Sequence, residues 1–478
     1  PVPPVGRALR ARLGWAIGAT LVLLIGVFSW WQSQRKSVSV SPSDTATQRS
    51  APPAPEQPAA QPPLDFAAAK SIAVLAFENR SGDKENEYFS DGITDELLTV
   101  LQQTPGLRVA SRLSAFSFKG KNASAQEIGE KLKVAHLVEG SVQKIGTRVK
   151  ITARLSRVAT GDQIWAYSDT RELEDIFALQ NDIAALIAKN LQLQLGTAPR
   201  AAKIVNPEAH RLVLEGRHFW NLRTNDGFTR ADVAFKKALE LDPLFAEAHA
   251  GFAAVGVIRS NFDQLDGLGD GAADLQRART SAERAIQLDS SLAEAHAVLA
   301  FGQLLDGRFP ESGRSFERAL ELNPNSAVTH CWYGLFLGAQ GRHEAATRAY
   351  LRAEVLDPLW FINLQVTAQS HFFTRQFGAA LEMNGRAAAV RPDVYIPNLG
   401  YRARILLALG RDREAIEVAQ QMRRQIALAP RWQTDPYAVY VLRKTGLQAE
   451  AEDYAAEAFK KLPPESYLRG WVLVSLGR

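Results

Sequence analysis

The chain has 478 residues, a formal net charge of +5, 46% hydrophobic and 22% charged residues, a balance that excludes an intrinsically disordered polymer and leaves room for two or three domains. Lys plus Arg stand at six against three Asp plus Glu over 1–69, sixteen against sixteen over 70–196 and 34 against 32 over 197–478, so no region is basic enough for a nucleic-acid surface and no nucleic-acid partner is expected. A single cysteine, Cys331, excludes an internal disulfide and any Cys-based metal site.

In chain order, 1–12 is a short segment, PVPPVGRALRAR, that reads like the end of a linker. The chain starts on Pro1, so a processed chain or a fragment is expected. Residues 13–31, LGWAIGATLVLLIGVFSWW, carry no charge and are long enough to cross a bilayer as a helix. Trp15, Trp30 and Trp31 stand where interfacial aromatics belong. A cleaved signal peptide is the competing reading, but the apolar run is long and no small-x-small site follows it directly. Arg7, Arg10 and Arg12 precede the run and only Arg35 and Lys36 follow, a mild bias toward a cytoplasmic N-terminus. The segment 32–69 is a Pro-, Ala- and Ser-rich linker, with seven prolines between Ser37 and Asp65, and it cannot bury a core.

Residues 70–196 read as a separate α/β unit. Ser71–Phe77 suits a buried strand, Asp91 a helix cap ahead of Ile93, Leu97, Leu98 and Leu101, Leu107–Ala110 a second strand, and Ala125–Leu132 a second helix. Val149, Ile151, Ala153 and Leu155 alternate with Lys150, Thr152, Arg154 and Ser156, the period of a strand with one wet face. Gly146-Thr147 and Gly161-Asp162 supply turns, and Asp175–Leu195 an amphipathic closing helix.

The segments SIAVLAFENRSGDKENEYFSDGITDELLTVL, KGKNASAQEIGEKLKVAHLVEGSV, RVKITARLSRVATGDQIWAYS and RELEDIFALQNDI together resemble the TolB amino-terminal-like domain. That resemblance implies a bacterial membrane-bound signalling protein with tetratricopeptide repeats. It implies a preceding membrane helix, and often a cytoplasmic effector: a winged-helix DNA-binding domain, a class III nucleotide cyclase or a protein kinase. It brings no catalytic residues for 70–196. With the charge bias, it points to a single pass through the inner membrane and soluble domains on the periplasmic side.

From 207 to 478 the chain keeps time. Pro324, Pro358 and Pro392 are 34 residues apart, and Ser290 holds the beat one period earlier. Small and bulky residues precede the beats at fixed offsets: Ala231, Phe235, Ala238, Pro243; Ala346, Tyr350, Ala353, Pro358; Ala451, Ala455, Ala458, Pro463. This is the spacing of tetratricopeptide helix pairs, six to seven units here. The step from Pro243 to Ser290 is 47 residues, which predicts a loop inserted around Ser260–Asp274. A degenerate unit falls around Leu399–Gln421, and the final YLRGWVLVSLGR reads as a first helix without a second.

The fold class is therefore multidomain: one transmembrane helix, a small α/β domain, then an all-α repeat superhelix. Catalytic, cofactor and metal sites are not expected. His249, His296 and His330 occupy one repeat position and cannot easily converge on an ion. Asp91, Asp95 and Glu96 lie at a helix start without a nucleophile, and DQLDGLGDGAAD lacks EF-hand order. What remains is the groove lined by first helices: Val213, Arg217, Trp220 and Asn221, then Phe301, Leu304 and Leu305, then Gln369, Phe372 and Phe373. Arg217, Trp220, Phe301, Phe372 and Phe373 are the candidate anchors for a protein or peptide, although some could instead pack on the α/β domain or on neighbouring repeats. Val213 stands where a carboxylate clamp needs a basic residue. The expected function is a membrane-anchored, non-enzymatic scaffold or sensor. The alternative is the regulatory part of a larger signalling protein.

Overall fold

The structure, a computed structural model, describes residues 70–477 apart from 82–85, 105, 173–175, 192–205, 223, 267–270, 391–395, 426–436 and 463–466. The segments 1–12, 13–31 and 32–69, Pro392 and Pro463 lie outside the described residues. Among the described residues no helix is long and apolar enough to cross a membrane.

The α/β domain runs β1 (Ser71–Val74), β2 (Glu78–Asn79), α1 (Glu87–Gln102), β3 (Arg108–Val109), α2 (Arg112–Phe116), α3 (Ala125–Leu132), β4 (His136–Ile145), β5 (Arg148–Arg157), β6 (Gln163–Glu172) and α4 (Ile176–Asn190). Its mixed sheet has the order β3-β1-β4-β5-β6, with β2 beside β4. β1 pairs in parallel with β3 and β4, and β4-β5-β6 is antiparallel. All four residues of β1 are buried, as a strand inside a parallel pairing requires. On β5 Val149, Ile151, Ala153 and Leu155 face the core while Arg148, Lys150 and Arg154 are exposed. Gly146 takes φ +61° in the tight β4–β5 turn, a conformation that glycine adopts without strain.

α3 has the predicted bounds because Ser124 and Glu127 form a reciprocal capping box at its start. α1 differs from expectation. It begins at Glu87 rather than after Asp91, because Phe89 already belongs to the buried stripe of Ile93, Leu97 and Leu101. Asp91 is thus a buried helix residue and not a cap.

Seven helix pairs and a last single helix follow among the described residues: α5 (Pro207–Asn221) with α6 (Asn225–Leu241), α7 (Ala246–Asp266) with α8 (Gly271–Leu288), α9 (Ala293–Leu305) with α10 (Phe309–Leu322), α11 (Ala327–Ala339) with α12 (His343–Leu356), α13 (Phe361–Phe373) with α14 (Phe377–Val390), α15 (Ile396–Ala408) with α16 (Asp412–Gln425), α17 (Tyr437–Lys444) with α18 (Gln448–Lys461), and α19 (Tyr467–Leu476). The periodic frame is the packing surface. Phe235 is 1% exposed and presses on Gly216 of its own repeat and Gly251 of the next, where an added Cβ would lie 2.8 and 2.4 Å from the ring. Tyr350 fills the same place against Gly334. Glycine on the first helix and a ring on the second let the two helices pack closely, with axes about 8–10 Å apart.

The described residues of the insertion in the second repeat, 260–266 and 271–274, are helical and not a loop. They lengthen α7 to 21 residues and α8 to 18, and the Ser260 hydroxyl ties the two helices by donating to the Gly271 carbonyl at 2.6 Å. The turns within the third, fourth, sixth and seventh pairs use Gly307, Gly341, Gly410 and Gly446 at φ +71° to +85°. In the fifth pair Arg375 adopts the same left-handed conformation, φ +63°.

Candidate functional site

Residues 70–478 form one compact unit, and its two halves meet through α5. Leu214 of α5 is fully buried in the α/β core, beside Ile93, Leu97 and Ile183. It fits because residue 92 is glycine: a Cβ there would lie 2.8 Å from Leu214 Cβ.

Around this apolar contact sits a polar ring. Asp91 Oδ2 lies 3.1 Å from His218 Nδ1, and Lys119 and Arg112 also reach its carboxylate. Burial alone would push the Asp91 carboxyl up, but hydrogen bonds from His218 and Lys119, with the charges of Lys119 and Arg112, hold it below its ordinary range. Further along, Asp357 is completely buried and accepts hydrogen bonds from Ser111 (2.6 Å) and Ser114. Asn325 donates to the carbonyls of Gln102 (2.9 Å) and Leu107 (3.0 Å). Arg108 reaches the Val355 carbonyl at 2.8 Å, and burial, reinforced by the Arg352 charge, pushes its guanidinium down to about 10. The α/β domain is therefore seated on the first helix and on the turns that carry Pro324 and Pro358.

The five candidate anchors separate into three environments. Arg217 belongs to the junction. It pairs with Glu294 at 3.7 Å, and although burial works against its charge, Glu294, Asp95, Glu96 and Glu247 outweigh that and raise it. Trp220 and Phe301 border one apolar cluster of the second to fourth repeats. Phe301 is 5% exposed and stacks on Trp332 with ring centroids 4.6 Å apart, while Trp220 is half-buried. Phe372 and Phe373 lie apart from these, edge to face at 5.9 Å and both half-buried, with Phe373 also stacked on His343.

Residues that sequence reasoning missed extend this last group. Arg404 of α15 places its guanidinium 4.6 Å from the Phe372 ring centre and 3.9 Å from that of Tyr437. Tyr437 in turn meets Tyr401 (5.4 Å) and Trp471 (6.1 Å). Phe372, Arg404, Tyr437 and Trp471 come from four successive first helices, α13, α15, α17 and α19, the helices that line the curved face of such a stack. The signal was Arg404, at the same repeat position as Arg217. Trp471 lay in the terminal helix and was read only as a repeat end.

The repeat histidines are structural. Nε2 of His249, His296 and His330 each sits 3.0 Å from the carbonyl six residues back, that of Pro243, Ser290 and Pro324. Among the described residues no group of His, Cys, Asp and Glu has the arrangement of a metal site. The Cys331 thiol is buried and pushed up by that burial, which leaves it unreactive.

This is a tetratricopeptide-repeat array behind a small mixed α/β sheet domain. The tetratricopeptide-repeat family profile matches residues 315–348. Over 248 residues, 49% of this chain, the sequence is 34% identical to a protein of Rhizobium meliloti (strain 1021) named "Putative adenylate cyclase 3", and it spans 41% of that relative's length. Among solved structures, the chain is similar to a tetratricopeptide-repeat protein of Thermus thermophilus (16% identity, 42% of this chain and 98% of the other, TM-score 0.34). It is also similar to human IFIT1 as a dimer with m7Gppp-AAAA (16% identity, 63% and 74%, TM-score 0.41).

Proposed function

We propose that this chain is the regulatory part of a larger bacterial signalling protein, whose repeats bind a protein or peptide and whose α/β domain couples that binding to the rest of the molecule. The observation that carries the reading is the 34% identity to a protein named as an adenylate cyclase, together with a chain that spans only 41% of that relative. In this reading the chain itself senses and binds, and the effector chemistry belongs to a neighbouring segment. The buried junction supports coupling, because a partner that shifts the repeats must also move Asp357, Asn325 and Leu214. Recognition falls to the aromatic and arginine residues of the inner helices, with Phe372, Phe373, Arg404 and Tyr437 joining Trp220 as anchors, while Phe301, covered by Trp332, serves the core.

The proposal extends to the two finer features of the sequence reading. Residues 70–196 are a TolB amino-terminal-like domain, supported by the order of its four quoted segments. Residues 13–31 anchor the chain in the inner membrane with everything from Ser37 onward in the periplasm, supported by apolar length and flanking tryptophans.

The deciding experiment reads the gene upstream of Pro1 in frame. A cyclase, kinase or winged-helix domain there supports the regulatory reading, and an in-frame stop directly upstream overturns it. Partner binding is tested separately by pull-down with the Trp220→Ala/Phe372→Ala variant. Loss of a captured protein at unchanged helicity supports the groove, and undiminished capture by the folded variant removes these two from it.

A further inference from the structure

Between α10, α11 and α12 of the third and fourth repeats lies an open cleft of about 350 Å³, a volume at the lower end of the range of small-molecule sites. Arg342, Arg348 and Arg352 line one side, and His330, Tyr333 and Leu320 the other, with no carboxylate among the lining residues. Arg342 and Arg348 are exposed and have no ion-pair partner among the described residues. Glu354, the acid nearest in sequence to Arg352 on α12, is already engaged by Arg386 at 2.6 Å.

Three features make this arrangement costly for the protein alone. Arg342 is the N-cap of α12, where the helix dipole is positive and a cation is unfavourable. Arg348 and Arg352 are an i,i+4 pair of like charge. Arg352 also lies close enough to His330 and Arg108 for its charge to lower both. An oxyanion placed between these cations relieves every one of the three. Beside them, Tyr333, Leu320 and Leu337 provide an apolar and aromatic wall.

We propose that this cleft binds a mononucleotide, its phosphate held by Arg342, Arg348 and Arg352 and its base laid against Tyr333, Leu320 and Leu337. Guanidinium groups suit the phosphate because they donate paired hydrogen bonds to its oxygens, and a flat base matches a wall with one ring and two aliphatic side chains.

The test is calorimetric titration of the full chain with AMP, GMP, CMP and UMP, and with adenosine and inorganic phosphate as controls. At least one mononucleotide is expected to bind, adenosine not to bind, and inorganic phosphate to bind about tenfold more weakly or less. Arg342→Gln and Arg348→Gln are exposed changes that relieve unfavourable charge, so each should leave the melting temperature equal or slightly higher while weakening the mononucleotide by about tenfold. A Phe372→Ala variant should bind it like the unaltered chain. No heat with any mononucleotide at millimolar concentration overturns the proposal. So does equal binding of adenosine, equal binding of inorganic phosphate, or undiminished binding by the Arg342→Gln/Arg348→Gln double variant.

Discussion

The Ser114 hydroxyl and the Asp357 carboxylate, 243 positions apart in the chain, share a buried hydrogen bond. Asp357 immediately precedes Pro358, so the same turn that ends one repeat also holds the α/β domain. Ser111 donates to the other carboxylate oxygen at 2.6 Å, and the Leu359 amide donates back to Ser114 at 3.0 Å. Asp357→Ala strands two buried hydroxyls, and each unsatisfied group costs about 1–3 kcal/mol. The variant is expected to unfold at lower urea and to gain hydrogen exchange in α2 and in the 355–361 turn together. Exchange confined to one side would show that the contact carries no coupling.

Leu214 should behave as a residue of both halves. Leu214→Ala opens a cavity in the α/β core, a change that costs about 2–5 kcal/mol in comparable cores. A fragment of 66–222 is expected to melt higher than one of 66–198, which lacks α5. Equal melting of the two fragments would show that the α/β core is complete without the repeat helix.

The repeat histidines predict a sign for the acid side of stability. Burial lowers the pKa of His249, His296 and His330 below the ordinary value of 6.5, against the opposing effect of the carbonyl each one bonds. The folded chain therefore binds fewer protons here than the unfolded chain once the pH drops under 6.5. Their contribution is full above 6.5 and lost as the pH falls from there through the lowered folded values. Urea midpoints measured from pH 8 downward should fall in that window, and the triple His→Gln variant should flatten the fall. An unchanged slope would assign it to other groups.

Arg375 offers a stabilising change. Its left-handed φ of +63° occupies the place that Gly307, Gly341, Gly410 and Gly446 take in other repeats. A non-glycine residue in that region carries roughly 1–2 kcal/mol of strain. Arg375→Gly should raise stability by somewhat less than that, since glycine also loses more freedom on folding. The reverse change, Gly341→Ala, should destabilise by about 1 kcal/mol or more. Thermal melts of both variants check the pair, and a drop with Arg375→Gly would contradict it.

What was legible in the sequence follows the range over which each signal acts. Phe235, Tyr350 and their small partners recur at fixed offsets because helix pairs repeat the same local contact, so the repeats could be counted. The β5 alternation and the Ser124–Glu127 box are likewise written within a few residues. Asp91 was misplaced as a cap because its partners, His218 and Lys119, lie far along the chain. The lengthened α7 was read as a loop because Asp and Gly near residue 267 outweighed the helical period before them. Phe301 could not be recognised as covered, since the ring that covers it, Trp332, comes from the next repeat. The Phe372–Arg404–Tyr437 stack depends on the curvature that brings three repeats together.

The place of Leu214 also bears on synthesis. A chain emerging from the ribosome presents the whole α/β sheet before α5 exists to close it. Until Leu214 arrives, the hollow beside Gly92 faces solvent, along with Ile93 and Leu97. The first repeat helix thus acts as the plug of an older part of the nascent chain, and the array grows outward from a helix already committed to its neighbour.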